Sequence, residues 1–227
     1  SLSPPSPLLR YNPRVRKYLR FLGWSAAILG IVLGVLRYFF FKTWVVPSDD
    51  KILAASIAPT LAPGDLVLIL HSREPAFGDL ARCKDPEEPR RFVIARVAGE
   101  PGDSVVVDGR TIYVNDRRST NESSCPERTV TIEEPTSGSP IEIACDIEDL
   151  SGTTHMRGQR HGNDSPSKVE KTVPQGKFWL VSDNRSYPLD SRTYGAVPRE
   201  SCDARIVYRI WSAKGFKDDL HRFMFIK

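Results

Sequence analysis

The chain is most informative first for what it does not contain. None of its four cysteines, Cys83, Cys125, Cys145 and Cys202, stands in a C-x-x-C pair, so zinc and dithiol redox motifs have little support. No unit recurs at a fixed period, which argues against solenoids and arrays. No metal-ligand or nucleotide motif is present, and the expectation is no metal and no cofactor. Amphipathic helices of useful length are almost wholly missing outside the first forty residues, which leaves strands to build the core. The net charge of +4 is small and crowded near the start, at Arg10, Arg14, Arg16, Lys17 and Arg20. No basic face interleaved with aromatics follows, so nucleic acid is not an expected partner.

What is present begins with an apolar run, FLGWSAAILGIVLGVLRYFFF, residues 21–41, broken only by Arg37. About 20 apolar residues span a bilayer as a helix, and Arg37 lies near the end of the run, where its head group can snorkel to the interface. A cleaved signal peptide has a shorter core, about 7–15 residues, ending at small residues. Here the run passes into Tyr38, three phenylalanines and Trp44, so a retained anchor is favoured. Basic residues precede it, while Lys42, Asp49, Asp50 and Lys51 roughly cancel after it. The positive-inside rule then predicts N-in, C-out. A chain opening on Ser1 reads as trimmed or as part of a longer one.

Beyond the anchor, 227 residues in total allow one large domain with an insertion. Strand-length runs rich in β-branched and aromatic residues occur at 64–70, 92–99, 103–109, 110–117, 177–184 and 204–211. The VVVDGRTIYVN stretch predicts a hairpin, with Asp108-Gly109 supplying the positive φ angles of a tight turn. The expected fold is mainly β: a cytoplasmic basic segment (1–20), a transmembrane helix (21–41), an all-β core (42–117 and 174–227), and an inserted, smaller β and loop subdomain (118–173). That insert is rich in Ser, Thr, Gly and acidic residues. Weak strands are predicted at RTVTIEE and IEIACDI, with a mobile loop over 151–170. Cys125 and Cys145 could close a loop within it, a bridge worth about 3 kcal/mol in the chain-entropy model, whereas Cys83 and Cys202 are read as free thiols as readily as a pair. Three tripeptides, at Asn121, Asn163 and Asn184, fit the glycosylation pattern and are read as coincidental.

Three stretches carry chemistry together: AASIAPTLAPGD, FVIARVAGEPGD and LVSDNRSYPLDSRTYGAVP. Small residues before Ser56 leave its hydroxyl reachable, and Pro59-Thr60 fixes the backbone after it, as a nucleophile requires. In order, in spacing and in relation to an N-terminal anchor the three stretches resemble the type I signal peptidase family, membrane-anchored serine proteases that remove signal peptides from exported proteins. The resemblance implies Ser56 as nucleophile, with Ala54, Ile57, Pro59, Arg96, Asp183, Arg185, Pro188, Asp190 and Arg192 as framework or substrate-contacting positions. It also implies signal peptides or exported pre-proteins as partners, with the lipid bilayer, in a single-pass inner-membrane protein whose folded domain is extracytoplasmic. Oligomeric state is left open.

The resemblance breaks at the base. Ala95 occupies the place of the family's lysine, and a methyl group cannot accept a proton; Arg96 beside it is too strongly protonated to serve. Pro188 falls where the family has a serine that orients the lysine, and Ala54 replaces a serine that assists the oxyanion hole in some members. Lys51 follows two aspartates on a link longer than usual for the family. It is expected on an exposed linker, whereas a lysine base needs burial to lower its pKa from about 10.4. His71, His155, His161 and His221 are expected at the surface. The reading is a family member with ordinary Ser/Lys catalysis lost; the alternatives are an active peptidase with an unconventional base, or a non-enzymatic membrane-anchored assembly partner.

Overall fold

The computed structural model describes residues 13–227 apart from 72–73, 161, 163–167, 216, 219 and 227. His161 and the Asn163 tripeptide lie outside the described residues. The chain divides into two units, one ending at Phe40 and one running from Phe41 onward.

The first unit is a helix, α1 (Pro13–Phe39). Proline at the first helical position needs no N–H partner and is preset in φ, so the helix starts earlier than the apolar run, and the basic residues from Arg14 to Arg20 are helical. Phe41 belongs to the next unit as a strand residue. The stretch Arg14–Tyr38 is long and apolar enough to cross a membrane, with a mean hydropathy of 2.0.

The second unit runs β1 (Phe41–Val45), α2 (Lys51–Ile57), β2 (Leu66–Leu70), β3 (Leu80–Lys84), β4 (Phe92–Gly99), β5 (Ser104–Asp108), β6 (Thr111–Val114), β7 (Arg117–Arg118), β8 (Thr120–Glu133), β9 (Pro140–Leu150), β10 (Thr153–Gln159), β11 (Val169–Thr172), β12 (Lys177–Val181), α3 (Ser191–Tyr194), β13 (Val197–Pro198), β14 (Cys202–Trp211) and β15 (Met224–Phe225). Among the described residues these strands form three sheets. The large one is ordered β1-β2-β14-β3-β4-β12-β13 with β15 beside β14; the smaller ones are β10-β9-β8 and β11-β5-β6-β7. The mainly β expectation holds.

The core lies around β4, whose FVIARVAG run is buried along nearly its whole length, as a strand covered on both faces should be. Strand alternation sends Val93, Ala95 and Val97 into one cluster with Phe178, Leu180 and Val197. Ile94 goes into another with Leu53, Ile57, Leu61 and Leu80. The predicted hairpin is β5–β6, paired Asp108 to Thr111. Its positive φ falls on Gly109, at 58°, and Asp108 remains an ordinary strand residue.

One expectation needs correction. Residues 153–159 form β10, in register with β9 from Thr153↔Leu150 to Gln159↔Ala144, where a mobile loop was predicted; 161 and 163–167 of that loop fall outside the described residues. Pairing with a neighbour overrides the weak strand propensity of this polar stretch. Gly158 is the tight point: a Cβ there would stand 2.9 Å from the Ala58 carbonyl oxygen. Its absence lets β10 pass close by, with the Gly158 N–H donating to the Asp183 carbonyl (2.9 Å) and the Arg185 N–H donating to Gly158 O (2.8 Å). Cys83 and Cys202, paired across β3 and β14, form a disulfide, as do Cys125 and Cys145 across β8 and β9.

Candidate active site

Ser56 sits in the last turn of α2, a helix in what reads as a linker. Asp50 starts it: Oδ1 accepts from the N–H groups of Ile52 (3.1 Å) and Leu53 (3.0 Å), which is N-capping. The other oxygen of the same carboxylate accepts from Arg91 Nη2 (2.8 Å) and Nε (3.0 Å), so one side chain both caps the helix and pins it to the approach to β4. The helix stops at Ile57 because Ala58 precedes Pro59 and is pushed out of the helical region; the Ala58–Pro59 peptide is cis. Leu53 and Ile57, four apart, share the buried face. Ile57 is therefore a core residue, while Ala54 and Pro59 line a groove of about 300 Å³ facing Val130–Glu133 of β8.

The Ser56 side chain is fully buried. Its Oγ donates to the Leu53 carbonyl one turn back (2.9 Å), the usual local bond of a helical serine. The signature loop after β12 holds the same turn: Asn184 N–H donates to Ser56 O (3.0 Å), and Asn184 Nδ2 to Ala55 O (2.8 Å).

Behind the helix lies a buried ionic framework. Arg96 grips Asp183 through Nε (2.7 Å) and Nη2 (3.1 Å), and its Nη1 donates to Gly78 O (3.0 Å); Thr60 Oγ1 donates to Asp183 Oδ2, the oxygen that also accepts from Arg96 Nη2. Asp190 caps α3 through the Arg192 N–H, accepts from Ser182 N–H (2.7 Å) and pairs with the Arg192 guanidinium. Burial alone would raise the Asp190 pKa, but Arg192 and these donors hold it below the usual carboxylate range. Arg185 donates to Ser182 O (3.1 Å) and pairs with Glu148 of β9.

Glu148 and its neighbours were not legible as site residues. Glu148 also meets His155 Nε2 (3.1 Å) and Arg157 Nη1 (3.5 Å). Burial pushes the Glu148 carboxyl up, yet the charge of Arg185 and the contacts with His155 and Arg157 bring it well below its ordinary value. His155, expected at the surface, is buried. Burial and the nearby Arg96 charge push its pKa down despite Glu148 and Asp183. One signal was available: Glu148 shares its strand face with Leu150 at i+2, and both are buried. His71 is half-buried with Nδ1 at 2.8 Å from Asp203 O, and His221 is held by Asp218 (2.7 Å).

Ala95, the position that the resemblance gives to the family's lysine, lies in apolar surroundings. The Ala95 methyl is buried with Ala81, Cys83, Val97 and Leu180, with Leu189 and Tyr194 packed against the cluster. Tyr194 donates to Leu189 O (3.3 Å), and burial pushes its phenol up, so it offers no acceptor for a proton at neutral pH. Pro188 is half-buried in the signature loop. Lys51 is ion-paired to Glu133 with its side chain 55% exposed, as an exposed position requires.

The chain matches the family described as "Signal peptidase, peptidase S26" over residues 19–211. This chain belongs to the signal peptidase family. It is 26% identical over 162 residues to the mitochondrial inner membrane protease subunit 1 of Schizosaccharomyces pombe, covering 69% of this chain and 68% of that one. To the protein of the same name from Saccharomyces cerevisiae it is 30% identical over 159 residues (67% and 61%). To signal peptidase I U of Bacillus subtilis it is 26% identical over 180 residues (78% and 78%). The chain thus spans 61–78% of the length of these signal peptidase relatives. A signal peptidase I crystal structure from Enterococcus faecalis is 21% identical with a TM-score of 0.36, covering 59% of this chain and 97% of that one; so loose a superposition adds nothing to the assignment.

Proposed function

We propose that this chain is a membrane-anchored signal peptidase relative that keeps the family framework, has lost Ser/Lys hydrolysis, and holds signal peptides or exported pre-proteins without cutting them. The anchor is a single pass through the inner membrane, N-in, with the β unit on the far side. The observation that carries the reading is the buried Ala95 methyl in an apolar cluster, where the family resemblance puts the lysine. It is supported by the Ser56 hydroxyl, which is buried and donates to its own helix, and by the commitment of Lys51 to Glu133 and of His155 to Glu148. Losing a general base costs about 10²–10⁴ in rate, and losing one member of a coupled nucleophile and base can cost about 10⁶.

The test is cleavage of a pre-protein by the wild type, Ser56→Ala, Ala95→Lys and the double variant Ala95→Lys/Pro188→Ser. The reading expects a wild type no faster than Ser56→Ala and a double variant that cuts. A wild type that cuts, and stops cutting in Ser56→Ala, identifies instead an active peptidase with an unconventional base.

A further inference from the structure

Away from Ser56, the turn between β5 and β6, the β7–β8 junction and β10 meet around a concave space of about 430 Å³. It is lined by Arg110, Thr111, Arg118, Ser119, Thr120, Asn121, Arg157 and Gln159. The chemistry of that lining is one-sided. Three guanidinium groups from three separate elements converge on it, every other lining side chain can hydrogen-bond, and no carboxylate is among them.

The three arginines are not equivalent. Arg157 is buried, and its Nη1 and Nη2 face Glu148 (3.5 Å) and Asp146 (3.2 Å), so its charge is balanced; its Nε–H, however, is buried without an acceptor, as is the Gln159 Oε1 without a donor. A buried donor with no partner costs free energy and marks a place where an acceptor belongs. Arg110 donates to two carbonyl oxygens, of Arg160 (3.3 Å) and Gly162 (2.7 Å). Those bonds orient the guanidinium, and a carbonyl cancels no charge. Arg118 is exposed on β7, and no described carboxylate pairs with Arg110 or Arg118. Among the acids near the rim, Glu122 accepts from Thr120 Oγ1 (2.9 Å), and Asp108 and Asp149 stand opposite Thr111 and Thr120 in their sheets.

We infer that this seam binds a phosphate group. Planar guanidinium forks match phosphate oxygens bidentately, and the Thr111 hydroxyl and the Asn121 amide supply further donors. The space exceeds what inorganic phosphate fills, so the fitting ligand is an organic phosphate, either the headgroup of an anionic phospholipid or a soluble phosphoester. Nothing in this inference depends on Ser56 or on the loss of the base.

The experiment titrates the full chain in neutral detergent micelles, by calorimetry at fixed ionic strength. The probes are inorganic phosphate, pyrophosphate and glycerol phosphate, and, separately, short-chain phosphatidylglycerol against phosphatidylcholine. Saturable binding is expected to weaken about tenfold or more in Arg110→Gln and in Arg118→Gln, each a lost charge-assisted contact. It should hold in Arg128→Gln, an exposed arginine of β8 outside the seam. Tighter binding of glycerol phosphate or pyrophosphate assigns a soluble ligand, and tighter binding of phosphatidylglycerol assigns a headgroup. No saturable binding of any probe, or an equal loss in Arg128→Gln, overturns the inference.

Discussion

The framework around the candidate site and the positions that the resemblance assigns to catalysis are held in different ways. Arg96 with Asp183, and Arg192 with Asp190, are complete ion pairs, buried and supplied with additional donors. A few residues away, Ser56 bonds to its own helix and Ala95 offers a methyl to an apolar cluster. The contrast teaches that the two sets of residues are held by different demands. A buried ion pair cannot lose one partner without stranding the other charge, so the framework stays whole as long as the domain must fold. A nucleophile or a base is held by chemistry alone, and can disappear without loosening the fold.

That difference can be broken or sharpened by measurement. The largest effect is expected at the framework: Asp183→Ala takes from the buried Arg96 guanidinium the carboxylate it pairs with and should lower stability by about 3–5 kcal/mol, read from urea denaturation of the full chain in detergent. If the loss is below about 1 kcal/mol, the framework is not what holds the site.

Acid should act on the same region next. The folded-state pKa values of both His155 and Glu148 are depressed, so both bind protons more readily when unfolded, and stability falls as pH falls. The first loss begins as pH drops through about 6.5, the unfolded value for histidine, and a second below about 4.3, the value for glutamate. His155→Gln should flatten the first step and leave the second. An unchanged profile between pH 7 and 5.5 in both proteins contradicts the burial of a neutral imidazole.

A smaller effect belongs to α2. Asp50→Ala removes the cap and the Arg91 pair together and should cost about 1–2 kcal/mol; Asp50→Asn keeps the cap and should cost less. Hydrogen exchange of the Ile52 and Leu53 amides reports the change directly. Smallest of all, Ser56→Ala should shift stability by less than about 0.5 kcal/mol. It gives up one local side-chain bond and gains helix propensity, so a large loss would mean that Ser56 is structural.

The sequence made the strands around β4 legible because their β-branched runs are bounded by turn residues, and the three signature stretches marked Ser56, Asp183 and Asp190. What it hid was hidden for physical reasons. PSDDKILAAS reads as a linker because seven residues of helix are too few for a periodic pattern; its one signal is Asp50 as a cap. TTHMRGQ reads as a loop because its buried residues are His155, Arg157 and Gly158, two polar and one without a side chain. The polar two lie inside because Glu148 lies across the strand pair, His155↔Glu148 in register, which local propensity cannot express.

The most direct measurement is pre-protein cleavage by the full chain in lipid, with Ser56→Ala beside the wild type and Ala95→Lys/Pro188→Ser beside both. The account predicts a wild type indistinguishable from Ser56→Ala and a double variant at least tenfold faster, a small return on the roughly 10²–10⁴ a base supplies because Ser56 starts buried. Wild-type cleavage abolished by Ser56→Ala would contradict it.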